Sequence, residues 1–215
     1  MRTQTFIVSM ASALVFAGAA QATVAPFDFY TFDSFNVAQT DTSLPANINW
    51  ASPAASQPIF GASGTREAWG YSYNGGTPSV SVGAGTATFA SSQGMAGLTY
   101  RGNAQDMTNY IFSFNLNMTG VVGNSVIEMD IDNGSDYAQY LVYYTGSGTY
   151  QVDLSEAPVY GLTDFTAITN ITIALGAYNN STNSLTMSNF GYVPAPGAAA
   201  LIGLAGAFGG RRRRN

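Results

Sequence analysis

The stretch Tyr110–Met118, YIFSFNLNM, alternates apolar and polar side chains from Phe112 onward. Aromatic and aliphatic side chains share one face, and serine and asparagine share the other. A period of two is typical of a strand with one buried face. Val126–Asp132 repeats the pattern, with Ile127, Met129 and Ile131 predicted to face inward. Both stretches therefore predict half-buried strands of one sheet system.

Turn residues join these strands to others. Asn133-Gly134 is a hairpin signal before a returning strand at Tyr137–Tyr144, and Gly146-Ser147-Gly148 precedes a third strand at Tyr150–Leu154. Further strands are predicted at Phe27–Phe35, Ser79–Val82, Thr86–Ala90, Gly97–Arg101, Ile168–Leu175 and Leu185–Phe190. The segment Leu44–Thr65, rich in Ala, Ser and Pro, is predicted as a long loop. About ten short strands with regular turns predict a single all-β sandwich of jelly-roll-like type.

Charged side chains are scarce, at 9% of the chain against about 25% in an ordinary soluble domain. The part of the chain between the two ends contains two basic residues, Arg66 and Arg101, and all twelve acidic residues. Its formal charge is therefore −10. Such a surface repels phosphate backbones, so we exclude nucleic acid as a partner. We interpret the two arginines as structural partners of acids.

Cysteine and histidine are both absent from the sequence. Disulfides, thiolate nucleophiles, Ser-His-Asp triads and His/Cys zinc sites are therefore excluded. The chemistry that remains is that of carboxylates, including calcium binding.

The N-terminus has the three parts of a secretory signal peptide. Arg2 supplies a positive charge, Phe6–Ala20 is mostly apolar, and Ala20-Gln21-Ala22 is an A-x-A cleavage site. We predict a signal peptide at residues 1–22, with cleavage after Ala22.

The C-terminus is apolar and then strongly basic. Val193–Gly210 carries no charge, and a cluster of four arginines follows: Arg211, Arg212, Arg213 and Arg214. A helix of this length would reach about 27 Å, just short of a hydrocarbon core of about 30 Å. We predict a temporary membrane anchor with the arginines in the cytoplasm and the sandwich outside.

The tail also carries a motif: Val193, Pro194, Ala195, Pro196 and Gly197. Together with the apolar segment and the arginines, this motif resembles the PEP-CTERM sorting signal that exosortases read. The common form is Val-Pro-Glu-Pro, and here Ala195 replaces the acid. The resemblance implies membrane transit, cleavage near the motif, and release or attachment at the cell surface, often alongside exopolysaccharide production. A plain tail anchor is the alternative.

The signal peptide and the tail divide the chain into a signal peptide at 1–22, an ectodomain at 23–192 and a sorting tail at 193–215. The resemblance of the tail implies an exosortase-like enzyme and, during transit, the membrane as partners. The protein would then be exported to the cell surface or the extracellular matrix.

Glu128, Asp130 and Asp132 alternate on one predicted strand, so they would line one face about 7 Å apart. The string resembles the Glu-x-Asp-x-x-Glu strand of laminarinase-type glycoside hydrolases, which are also jelly rolls. A retaining enzyme needs two carboxyls about 5–5.5 Å apart, and here the shorter Asp132 would fill the last position. We favour an acidic outer strand face. A hydrolase that uses Glu128 and Asp130 is the alternative.

Asp130, Asp132, Asn133 and Asp136 crowd one predicted turn. Oxygen ligands at short spacing suit Ca²⁺, which takes six to eight of them. A structural calcium ion is one interpretation of these residues, and a solvated hairpin turn is the other.

Aromatic rings with one polar edge stack on sugars, so a platform for a glycan could be formed by Trp69 and Tyr71 with tyrosines of the predicted meander: Tyr137, Tyr140, Tyr143, Tyr144 and Tyr150. Core packing and cross-strand pairing are the alternative for all of these residues. The sequence therefore predicts an exported, non-catalytic module that is associated with polysaccharide or structural.

Overall fold

The computed structural model describes residues 30–41, 54–56, 64–72, 75–118 and 124–194. Every regular element in these ranges is a strand: β1 (Tyr30–Asp33), β2 (Gln39–Asp41), β3 (Ala54–Ser56), β4 (Thr65–Ser72), β5 (Ser79–Gly83), β6 (Thr86–Gln105), β7 (Tyr110–Met118), β8 (Asn124–Asp132), β9 (Tyr137–Val142), β10 (Gly148–Asp153), β11 (Tyr160–Gly161) and β12 (Ile168–Pro194). No helix long and apolar enough to cross a membrane occurs among these residues. The predicted signal peptide and the tail from Ala195 onward lie outside them.

The strands form one curled antiparallel sheet with two halves. The first half has the order β3-β4-β6-β12-β8-β9-β11. In the second half, the start of β6 and the end of β12 pair with each other, β5 and β2 lie beyond β6, and β7 and β10 lie beyond β12. The two long strands therefore run through both halves, where the sequence predicted four shorter strands. The direction of β6 changes at Gln93, which has a φ of 51°. The direction of β12 changes at a register shift between Ala177 and Thr182.

The inner faces of the two halves enclose one apolar core. The ring of Phe32 contacts Tyr100 of β6 at 5.2 Å and Phe112 of β7 at 5.8 Å between centroids, so it joins both halves. Six of the predicted inward residues of β7 and β8 are buried in this core: Phe112, Phe114, Leu116, Ile127, Met129 and Ile131. Tyr110 and Met118, at the two ends of β7, are partly buried against it. The predicted all-β sandwich is confirmed.

The predicted loop at Leu44–Thr65 was wrong in part, because β3 lies within it and β4 begins at its last residue. The pattern of β4 is inverted with respect to an ordinary half-buried strand. Arg66 points into the core, whereas Tyr71 lies on the outer face. An alternation rule that places apolar residues inside therefore cannot recognise this strand.

The last strand continues to Pro194, two residues beyond the predicted end of the ectodomain. Val193 pairs with Ile111 and Pro194 with Tyr110. The first two residues of the predicted sorting motif therefore extend the sheet, and a proline at a strand end removes no interior ladder bond.

A buried polar network fastens the segment 30–41 to β4 and β6. The guanidinium group of Arg66 pairs with the carboxylate of Asp33, and it also donates to Gln39 Oε1 (3.2 Å) and to the carbonyl of Val37. The Tyr100 hydroxyl donates to Asp33 Oδ2 at 2.8 Å. Burial and the charge of Asp33 raise the pKa of Tyr100 well above its usual range, so this hydroxyl remains a donor. The interpretation of Arg66 as a structural partner is confirmed.

Candidate functional site

An open groove of about 430 Å³ lies on the outer face of the first half of the sheet. Four neighbouring strands, β4, β6, β12 and β8, build it with side chains that point away from the core. Its lining combines aromatic, hydroxyl and carboxylate groups: Trp69, Tyr71, Met95, Thr99, Arg101, Glu128, Asp130, Asp132, Asn170 and Thr172. The groove therefore offers both stacking and hydrogen-bonding surfaces.

Trp69 forms one wall of the groove. It pairs with Gly97 of β6, and a Cβ atom at Gly97 would lie 2.4 Å from Cζ2 of the indole, so the ring rests on the glycine. The indole N–H donates to Thr99 Oγ1 at 2.9 Å. Because Trp69 is only 3% exposed, it serves as a fixed wall, and the half-buried Tyr71 beside it presents more surface.

Threonine hydroxyl groups form the floor of the groove, and the guanidinium group of Arg101 lies at one end of it. Thr99 Oγ1 and Thr172 Oγ1 lie 2.9 Å apart across β6 and β12. Arg101, whose side chain is 51% exposed, pairs with Glu67 of β4. The positive charge of Arg101 is therefore already compensated on the protein, which confirms that this arginine partners an acid.

The opposite wall is acidic. Glu128, Asp130 and Asp132 share the outer face of β8 as predicted, because strand residues two apart point to the same side. Gln139 of β9 donates to Glu128 Oε1 at 2.8 Å. Asp130 Oδ1 is fully buried and has no hydrogen-bond partner among the described residues. The Asp130 side chain as a whole is half-buried, so its carboxyl lines the groove with hydrogen-bonding capacity that the described residues leave unused.

The electrostatics of this wall follow from crowding and burial. Burial raises the pKa of Glu128, and a hydrogen bond from Gln139 partly opposes that shift. Burial, followed by the negative charge of Glu128, raises the pKa of Asp130 to about 7. Near neutral pH, Asp130 is therefore present in both protonated and ionised forms, and can either donate or accept a hydrogen bond.

The predicted calcium turn uses its oxygens internally. Asp132 Oδ1, Asn133 Oδ1 and Asp136 Oδ1 each accept a hydrogen bond from a backbone N–H at or just after the turn. Asp130 lies on the groove wall instead. Within the described ranges, no group of three or more Asp, Glu, His or Cys side chains could hold a metal ion. The contacts are those of a hydrogen-bonded turn, and calcium binding stays a prediction.

The tyrosines of the predicted meander do not form one platform. Tyr140 and Tyr144 are buried, and Tyr150 stacks on Phe114 of the core at 6.5 Å. Sequence reasoning missed several groove residues that carry no local signal, because only strand pairing brings them to Trp69: Met95, Thr99, Asn170 and Thr172.

No family model matches the chain, and no curated protein matches it. Among solved structures, it is similar to the family 11 carbohydrate-binding module of a cellulosomal cellulase of Clostridium thermocellum, with 14% identity, a TM-score of 0.43, and coverage of 78% of this chain and 95% of that one. An exo-β-agarase has 12% identity and a TM-score of 0.42, and the match covers 79% of this chain and 25% of the agarase. A carbohydrate-binding module specific for non-crystalline cellulose has 12% identity and a TM-score of 0.35, with coverage of 73% and 88%. At these identities and scores, the likenesses assign no function to this chain.

Proposed function

We propose that the chain is an exported, non-catalytic module that binds polysaccharide in the groove of β4, β6, β12 and β8. The observation that carries this proposal is the pairing of an aromatic wall, across a floor of hydroxyl groups, with the half-buried Asp130 carboxyl, whose Oδ1 has no partner among the described residues. Sugars offer C–H faces to aromatic rings and hydroxyl donors to carboxylates. The half-buried Tyr71, held beside the Trp69 wall, supplies the first kind of contact, and the β8 wall supplies the second.

The negative charge of the groove indicates which class of polysaccharide can bind there. Three acids lie on β8, and the positive charge of Arg101 is engaged by Glu67. A polymer of uronic acids would place like charges against this wall and would be repelled. Neutral polysaccharides, or polysaccharides with free amines, are the favoured ligands.

Binding to a polysaccharide panel tests the groove. We expect the chain without residues 1–22 to bind saturably to mixed-linkage β-1,3-1,4-glucan, agarose or chitosan, and not to alginate. Asp130→Ala should weaken that binding about tenfold, since it removes an acceptor that the sugar satisfies. Affinity electrophoresis measures both effects. The matched control is Asp164→Ala, which changes an exposed loop carboxylate and should bind like the wild type.

Two results of the panel would contradict the proposal. The first is that none of the mixed-linkage glucan, agarose and chitosan binds, or that alginate binds better than they do. The second is release of reducing sugar that Glu128→Gln abolishes, which would make the groove the active site of a hydrolase. If chelator removes the binding, the calcium prediction gains its first support.

We also propose that the tail is a sorting signal of the PEP-CTERM type, which is removed at the cell surface. The motif, the apolar segment and the arginine cluster support this proposal. The described part of β12 ends at Pro194, so cleavage beyond that residue would leave the described sheet intact.

Mass spectrometry of the native extracellular protein tests the sorting. We expect peptides from the sandwich and none from Leu201–Arg214. A variant without the four arginines should remain cell-associated with its tail uncut. Recovery of the arginines in released material would rule the sorting proposal out.

A further inference from the structure

An exposed aromatic pair lies on the two strands beyond the acidic wall. Tyr137 of β9 is 39% exposed and Tyr160 of β11 is 58% exposed, and their ring centroids are 5.4 Å apart at 42°. Neither ring belongs to the apolar core that the described residues form. Packing in the core therefore does not explain why two large aromatic side chains lie at this edge of the sheet.

Strand register places both rings on the face that carries the groove. Tyr137 pairs with Asp132, while Tyr160 pairs with Gln139, which itself pairs with Asp130. Residues directly opposite each other in antiparallel strands point to the same side of the sheet. Desolvation and the charge of Asp130 raise the pKa of Tyr137, in keeping with this proximity. The pair thus continues the groove beyond β8.

The backbone holds this pair in a fixed position. Val159 N–H donates to the carbonyl of Gln139 at 2.8 Å, and Leu162 N–H donates to the carbonyl of Tyr137 at 3.0 Å. Gly161 lies between them with a φ of 93°, and a Cβ atom there would lie 1.9 Å from the Tyr137 carbonyl oxygen. Only glycine permits this close approach, so Tyr160 is presented beside Tyr137 before any ligand arrives.

We infer that Tyr137 and Tyr160 form a second sugar-stacking subsite, and that a polysaccharide chain lies across the strands from Trp69 and Tyr71 to this pair. The inference rests on the proposed function. Its occupant is the same neutral or amine-bearing polymer, stacked through the C–H faces of its rings. The face runs from β4 through β6, β12, β8 and β9 to β11, and five interstrand spacings span about 24 Å. Such a length suits the interior of a polymer rather than a single sugar.

The experiment compares long and short ligands on the protein without residues 1–22. The probes are soluble mixed-linkage β-1,3-1,4-glucan, agarose and chitosan, each with its own disaccharide, measured by titration calorimetry. Tyr137→Ala and Tyr160→Ala should each weaken binding of the polymer about fivefold and leave disaccharide binding in the groove unchanged. Tyr137→Phe and Tyr160→Phe keep the ring and should bind the polymer like the wild type.

Gly161→Ala provides an independent variant, because it displaces Tyr160 and keeps the ring. It should lose polymer affinity to the same extent as Tyr160→Ala, provided that thermal melting shows the sandwich folded.

The results of this experiment distinguish a wrong second subsite from a wrong groove. If the polymer binds and Asp130→Ala weakens it, but both alanine variants at the tyrosines bind like the wild type, the subsite is wrong and the groove stands. If none of the three polymers binds the wild type, both are wrong. Equal loss of disaccharide and polymer affinity in the tyrosine variants would also overturn the second subsite.

Discussion

Replacing Arg66 with methionine is expected to lower the free energy of unfolding by about 3–5 kcal/mol. The side chains of Arg66 and Asp33 are both 0% exposed. Methionine would leave the Asp33 carboxylate buried without its counter-ion, and the hydrogen bonds from the Tyr100 hydroxyl and the Phe35 N–H come from neutral donors. A buried charge that loses its counter-ion costs far more than the pair contributes when intact. Urea denaturation at neutral pH measures the change.

Arg101→Met is the matched control, because it removes the only other arginine between the ends of the chain. Its pair with Glu67 is solvent-exposed, so the expected loss is about 1 kcal/mol or less. The double variant Asp33→Leu with Arg66→Met should lose less than the sum of its single variants, because it leaves no unpaired charge. Equal losses for Arg66→Met and Arg101→Met would contradict the role of the buried network.

Replacing Asp130 with asparagine is expected to stabilise the fold at about pH 8, by about 2 kcal/mol. The folded pKa of Asp130 is raised from 3.8 to about 7, mainly by burial and the charge of Glu128. The contribution of the Asp130 carboxyl to the free energy of unfolding is therefore most favourable below about pH 4, where the group is protonated. This contribution is lost as the pH rises through about 7. The full shift would correspond to about 4 kcal/mol, and partial solvent exposure of the side chain reduces it to about half.

The measurement is urea denaturation of wild type and variant at about pH 4 and pH 8. Asp130→Asn should raise the free energy of unfolding only at the higher pH, where the wild-type carboxyl is ionised. Asp164→Asn is a control of opposite sign, because hydrogen bonds from Thr166 lower the pKa of Asp164 and asparagine should slightly destabilise at the higher pH. An advantage of Asp130→Asn that is the same at both pH values would show that ionisation of the buried carboxyl is not its cause.

The two variants test different uses of charge. The carboxylate of Asp33 is matched by Arg66, whereas Asp130 has no cation in hydrogen-bond contact and one bare oxygen among the described residues. A protein that keeps a destabilising carboxyl in a groove is typically using it, and ligand binding is the use that we propose. Loss of glycan binding together with gained stability in Asp130→Asn would join the two observations.

The local pattern was sufficient for part of this structure. The alternation in Tyr110–Met118 predicted β7 with its bounds, and that in Val126–Asp132 predicted most of β8. The same period placed Glu128, Asp130 and Asp132 on one face before any tertiary contact was known. A strand exposes every second side chain to one side, so the acidic wall follows from the order of residues alone.

The rest of the groove depends on pairing between distant segments. Trp69 is buried because β4 lies beside β6 and Gly97 leaves room for the indole, although the two residues are far apart in the sequence. Likewise, Tyr160 reaches the groove face only because the two-residue strand β11 pairs with β9. No periodicity within either segment encodes these neighbours, since non-local strand pairing is set by how the whole chain buries its apolar faces. The residue order thus establishes the all-β class and the acidic face, and the packing of the folded chain assembles that face with aromatic side chains into a binding surface.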